Sequence, residues 1–131
     1  MMFTIEQIKE AHSKVKSGAD FPKYIQALAQ LGVRTYEAYV SDGHTVYKNA
    51  EGTSVASGKK YEVMPIAEES KPKEFIAYLK AHQAGETDYP TFCLHCAITG
   101  IKKWEVSIDA MTCTYFDKAG NEILVENIPM A

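Results

Sequence analysis

Long apolar runs are missing from this sequence. No stretch could span a bilayer, and the opening segment MMFTIEQIKEAH reaches Glu6 before it can build the apolar centre of a secretory signal, so a cytoplasmic protein with no membrane partner is expected. An excess of one charge is missing too. With 14 Lys and Arg against 17 Asp and Glu, interspersed, the net charge is -3, and the pairs Lys59-Lys60 and Lys102-Lys103 are too short to track a phosphate backbone. Nucleic acid is therefore not an expected partner. Cysteine is limited to Cys93, Cys96 and Cys113, which cannot all pair within the chain and read as free thiols in a reducing compartment. There is no Gly-rich phosphate loop, nucleophile elbow, H-E-x-x-H, EF-hand or second C-x-x-C, so no cofactor is implied and no catalytic residue is assigned.

What the chain does have is the balance of a soluble globular protein, with 46% hydrophobic and 24% charged residues, and enough length to bury one core. It also matches itself. A shift of 68 residues lays Asp20–Gly52 on Asp88–Gly120 without a gap, with seven identities in 33 positions: Asp20/Asp88, Pro22/Pro90, Ala29/Ala97, Gly32/Gly100, Glu37/Glu105, Tyr47/Tyr115 and Gly52/Gly120. Ordinary residue usage would give roughly two. Tyr24/Phe92, Val33/Ile101, Tyr36/Trp104 and Val40/Ile108 keep size and character, and dropping four residues further on sets Glu62 on Glu126 and Pro65 on Pro129.

Each half reads as two helices followed by three strands. Thr4 to Gln7 is a capping box, with Ile5, Ile8 and Val15 on one stripe behind it; the counterpart opens near Ser70 with Pro72, buries Phe75, Ile76 and Leu79 and stops at Gly85. The second helices open on Asp20 and Asp88 as N-caps with proline two residues on, and close at Gly32 and Gly100. Beyond the glycines the period becomes two. Tyr36, Ala38 and Val40 alternate with Thr35, Glu37 and Tyr39, as Trp104, Val106 and Ile108 do with Lys103, Glu105 and Ser107. Asp42-Gly43 suggests a two-residue turn, which would set Glu37 opposite Lys48 and Tyr39 opposite Val46. Third strands are expected within Thr53–Ile66 and at Glu122–Ile128. The expected fold class is α+β: an internal duplication of an α-α-β-β-β unit, its antiparallel sheet covered by helices on one face, as a single domain 1–131 with pseudo-symmetric halves 1–66 and 67–131.

The segments AHSKVKSGADFPKYIQ, DYPTFC and DAMTCTYFDKAGNEILVE resemble the bacterial YdfO-like family of unknown function, whose members are often encoded in prophage regions. The resemblance runs over the whole chain. It implies a small α+β fold and carries no catalytic residue onto this sequence. The family pattern does not require a cysteine at position 96, so the C-x-x-C is a departure from it.

Within DYPTFCLHCAITG, Cys93-Leu94-His95-Cys96 invites a redox or metal reading. The shift argues otherwise, because Cys93 falls on Ile25 and Cys96 on Leu28, apolar positions of the equivalent helix, and free cysteine packs as a small hydrophobe. A redox or metal site at this C-x-x-C, with Cys93 and Cys96 as the metal ligands, is kept as the alternative. Histidines 12, 44, 82 and 95 are spread over separate elements. The remaining candidate is the sheet face without helices, where alternation places Glu37, Tyr39, His44, Val46, Lys48, Glu105, Ser107, Thr112, Thr114 and Phe116. Of these, Glu37, Tyr39, His44, Glu105, Ser107 and Phe116 would form a ligand or partner surface. Two uses follow: a non-catalytic binding protein taking a small molecule, another protein or a second copy as a homodimer, or a small enzyme with Glu37, Glu105 and His44 as acid and base.

Overall fold

The computed structural model describes residues 3–15 and 20–128; the expectation for Pro129 lies outside them. The element order is α1 (Ile5–Ser13), α2 (Phe21–Leu31), β1 (Thr35–Tyr39), β2 (Thr45–Lys48), β3 (Ser54–Ala56), α3 (Pro72–Gln83), α4 (Tyr89–Ile98), β4 (Ile101–Ser107), β5 (Thr112–Asp117) and β6 (Glu122–Asn127). It is the expected α-α-β-β-β series, given twice. The six strands form one antiparallel sheet in the order β3-β2-β1-β4-β5-β6. Helix residues Ile8, Ile25, Leu28, Phe75, Leu79, Phe92 and Cys96 join Tyr36, Ala38, Trp104, Val106 and Tyr115 in a single core, so the helices cover one face and leave the alternate strand positions open.

The local rules that build the helices act at particular residues. Thr4 and Gln7 form the reciprocal capping box, and the Asp88 carboxylate accepts the Thr91 amide at 2.9 Å. Asp20 differs from its expected role: it stands at the N-cap of α2 with helical backbone angles, and its side chain makes no cap hydrogen bond. A carboxylate reaches the next turn's amides from an extended N-cap such as Asp88, not from one already coiled.

Many backbone contacts recur at the 68-residue shift. Gly32 donates to Ala29 O at 3.1 Å and Gly100 to Ala97 O at 3.3 Å; Asn49 donates to Thr53 O and Asp117 to Asn121 O, both at 3.0 Å. The Gly32 and Gly100 identities follow from left-handed φ values of 101° and 85° after the helices. The halves meet where β1 pairs with β4, with Thr35 opposite Ser107, Glu37 opposite Glu105 and Tyr39 opposite Lys103. This register maps onto itself under the shift, and so do the flanking bonds: Val40 N to Lys102 O and Ile108 N to Arg34 O, both 2.9 Å. The register centres on Glu37 opposite Glu105.

Two expectations about the strands are corrected. The β1–β2 connection is a four-residue loop, Val40 to Gly43, closed by Tyr39 N to His44 O and Gly43 N to Tyr39 O, both at 2.9 Å. Glu37 consequently faces Val46, and Lys48 faces Thr35. The Gly43 position needs φ of +78°, and Met111, its equivalent at the shift, holds +54° in the matching loop. The loop geometry is therefore a property of both hairpins, and the Asp-Gly pair only suits one of them. The third strand of the first half is short, and Glu62 lies beyond it outside any strand, whereas Glu126 is in β6; the two residues have no shared structural place.

Candidate functional site

The C-x-x-C segment occupies α4, and both thiols point into the core. Cys93 is 1% exposed and Cys96 0%, against 1% for Ile25 and 0% for Leu28 at the shifted positions of α2. Burial raises the pKa of each thiol, well above the usual value for Cys96; at Cys93 the hydroxyls of Tyr61 and Tyr89 and the charge of Lys60 partly offset it. Burial pushes Cys113 up to about 12. Thiols held in this way are protonated at neutral pH and are not poised nucleophiles. Among the described residues no group of three His, Cys, Asp or Glu is placed to hold a metal ion.

Each histidine lies against an aromatic ring: His12 edge-on to Tyr24, His82 stacked on Phe92, His95 on Tyr78 and His44 on Tyr39. Three of them belong to the helical layer. His44 alone reaches the open face, and there the structure assembles a connected group from both halves.

That group is built by the β1–β4 pairing. The register brings Lys103 beside Tyr39, and the Lys103 ammonium lies 3.2 Å from Glu37 Oε2. It sits between two rings, 5.7 Å from the Tyr39 centroid and 5.3 Å from that of Phe116. Tyr39 donates its phenol to the same Glu37 oxygen at 2.5 Å. Its ring stacks on the His44 imidazole at 4.4 Å and 4°. His44 Nδ1 is 2.6 Å from Asp42 Oδ1, which also accepts the His44 amide at 3.0 Å. The chain Asp42–His44–Tyr39–Glu37–Lys103–Phe116 is thus continuous across β5, β4, β1 and the adjoining loop.

The electrostatics follow from these contacts. Partial burial works to raise the Glu37 pKa, but the hydrogen bonds from Tyr39 and Lys103, with the charges of Lys103 and Lys48, outweigh it and hold the carboxyl below its ordinary value. The bond to Glu37 pushes the Tyr39 phenol up to about 12. Bonds from the backbone and ring of His44 hold Asp42 low. Glu37 is a fixed, ionised carboxylate.

Of the sequence-predicted residues, Glu37, Tyr39, His44 and Phe116 are joined in this group. Glu105 borders it as the cross-strand neighbour of Glu37 and Thr114. Ser107 is not part of it: its hydroxyl accepts the Ala110 amide at 3.2 Å within its own loop. Lys103 and Asp42 were missed. Alternation already put Lys103 on the face of Glu105, but its ring neighbours appear only once β1 is paired with β4.

The fold and this face define a small α+β protein with a one-sided antiparallel sheet. The chain belongs to DUF1398, a family of proteins of unknown function, whose model matches residues 9–127. No curated protein matches the chain. No helix among the described residues is long and apolar enough to cross a membrane.

Proposed function

We propose that the protein is a small cytoplasmic binding protein that works through its open sheet face, and that the surface it takes is first of all that of a second copy of the chain. The observation that carries this reading is the charge balance of the face. Glu37 and Glu105 stand beside Lys103, with Lys48 nearby, and the apolar atoms of Phe116, Val46 and Val125 lie between and around them. An interface between two copies joins one patch to itself, and a charged patch is self-complementary when it carries both signs, as this one does. Glu37, held ionised by its bonds, suits a positioned partner for a cation better than a general base. Prophage origin, of the YdfO-like kind, and duplication of an ancestral α-α-β-β-β chain belong to the same reading.

Light scattering coupled to size-exclusion chromatography tests it. The expected result is a dimer at high concentration for the wild type and a monomer for Val125→Glu with Phe116→Glu, two changes on the exposed side of the sheet. A monomer throughout the accessible concentration range sinks the homodimer.

The Asp42–His44 pair favours a second reading, acid–base catalysis on a small metabolite. A carboxylate on Nδ1 orients the imidazole and leaves Nε2 as the working nitrogen. A thermal-shift screen of metabolites distinguishes the two uses, because a ligand of this site raises the wild-type melting temperature and loses that effect in His44→Asn.

A further inference from the structure

Residues 57–71 contain neither helix nor strand, yet their first part is tied down. Ser57 N donates to Thr45 O at 2.8 Å, Lys60 N to Asp42 O at 2.7 Å and Met64 N to Ser41 O at 2.7 Å, while the Tyr61 hydroxyl donates to Val40 O at 2.5 Å. Three of these four acceptors are successive residues of the β1–β2 loop. The same loop presents Gly43 to the strap, so close that a Cβ there would lie 2.8 Å from Tyr61 Cε2 and 3.0 Å from Lys60 Cβ. On its other side the Tyr61 hydroxyl meets the Cys93 thiol, which Tyr89 also contacts and Lys60 approaches.

We propose that residues 57–66 are a strap latched by the β1–β2 loop over Cys93, and that releasing the latch exposes this thiol alone while the rest of the core stays closed. The selectivity follows from placement. Cys96 lies one turn deeper on α4 with no exposure, near Tyr61 but not bonded to it, and Cys113 is on β5 with its side chain in the core, so of the three thiols Cys93 is the one the Tyr61 hydroxyl meets. The strap has no helix or strand of its own and is held by a few backbone bonds, the Tyr61 hydroxyl and the half-buried side chains of Tyr61, Met64 and Ile66 against the core, so its opening need not unfold the sheet. The protein would then carry a conditionally accessible thiol, open to electrophiles only when the strap lifts. In such a step the thiol sulfur bonds to the electrophilic carbon, the leaving group departs with the electron pair and the thiol proton passes to solvent. This inference concerns α4 and the strap and is independent of what the open face binds.

Site-resolved labelling with iodoacetamide under native conditions, read by mass spectrometry, tests it on the wild type, Tyr61→Phe and Gly43→Ala. Labelling through local opening tracks the opening equilibrium, and loss of one hydrogen-bonding hydroxyl should raise the Cys93 rate about ten-fold in Tyr61→Phe. Gly43→Ala, which drives a methyl into the Tyr61 ring, should raise it further. Cys96 and Cys113 should keep their wild-type rates in both. Equal acceleration of all three cysteines, or an unchanged Cys93 rate in Tyr61→Phe, overturns the strap. Tyr61→Phe is isosteric and carries the test by itself if Gly43→Ala does not fold.

Discussion

The two halves of the molecule agree where they face the helices and disagree where they face away. On the covered side, Tyr36 and Trp104, Ala38 and Val106, Val40 and Ile108, and Tyr47 and Tyr115 are all buried and apolar or aromatic. On the open side the same shift sets Tyr39 against Ser107, His44 against Thr112, Lys48 against Phe116 and Thr35 against Lys103. Of the pairs on that side, Glu37 and Glu105, opposite each other across β1 and β4, are the identical one. Packing restricts the covered positions, because a change of one methylene is felt in a dense core. The open positions are under no such restriction, and the connected group is drawn unevenly, taking Asp42, His44, Tyr39 and Glu37 from one half and Lys103 and Phe116 from the other.

If equivalent positions do equivalent work, the largest effects should come from the two central helices. Leu28→Ala removes a fully buried side chain and should cost about 2–5 kcal/mol in urea unfolding, whereas Cys96→Ala at the shifted position loses only one sulfur and should cost about 1 kcal/mol. A cost for Cys96→Ala matching that of Leu28→Ala would mean that the cysteine does more than fill space.

Next comes a glycine contrast. Gly100→Ala adds a Cβ at φ +85°, 2.6 Å from Glu69 O, and should cost more than about 2 kcal/mol; Gly52→Ala, at φ +82° with nothing within 4 Å, meets only the backbone penalty of about 1 kcal/mol. Equal costs in thermal unfolding would show that the Glu69–Ser70 backbone yields.

The electrostatic asymmetry of the open face gives a smaller effect. The folded-state pKa of Glu37 is depressed, so its contribution to stability is present above the ordinary value of 4.5 and is lost as pH falls through the folded value. Tyr39→Phe removes one of the donors. The Glu37 carboxyl midpoint, followed by NMR, should move upward, and the acid limb of the stability curve should become shallower. An unmoved midpoint would remove Tyr39 from the account of Glu37. The smallest effect belongs to Arg34 and Asp109, an ion pair 3.0 Å long across the junction of the halves with side chains 48% and 66% exposed. Arg34→Ala should change stability by less than about 1 kcal/mol, and less still in high salt.

Much of the fold was legible because local signals and the repeat agreed. Thr4 with Gln7, Asp88 with Thr91, and the glycines after the second helices are short-range devices whose geometry can be read from neighbouring residues. The hairpin register was misread for a physical reason: Asp-Gly suits a two-residue turn, but here the aspartate's oxygens are spent on His44 and on the strap, and the loop has four residues. The connection between β3 and α3 carries no period, so nothing in it announced a strap. The site was half legible. Alternation put Glu37, Tyr39, His44 and Phe116 on one face, but Lys103 gained its place from a strand pairing 64 residues away in sequence from its partner Tyr39, which no local pattern encodes.

The junction of the halves has a further consequence for the life of the chain. Among the described residues the β1–β4 pair joins the two groups of three strands, and the polypeptide leaves the first group through 57–71 to reach the second by way of α3 and α4. A protease that nicks this crossing leaves two pieces, each with two helices and a three-stranded sheet, held together by the β1–β4 pair and the core they share. Should they part, β1 and β4 become bare edges with unpaired backbone groups, the kind of template on which other chains add strand by strand. The strap that covers a thiol in the intact molecule is therefore also the place where a single cut would turn a closed fold into an aggregating one.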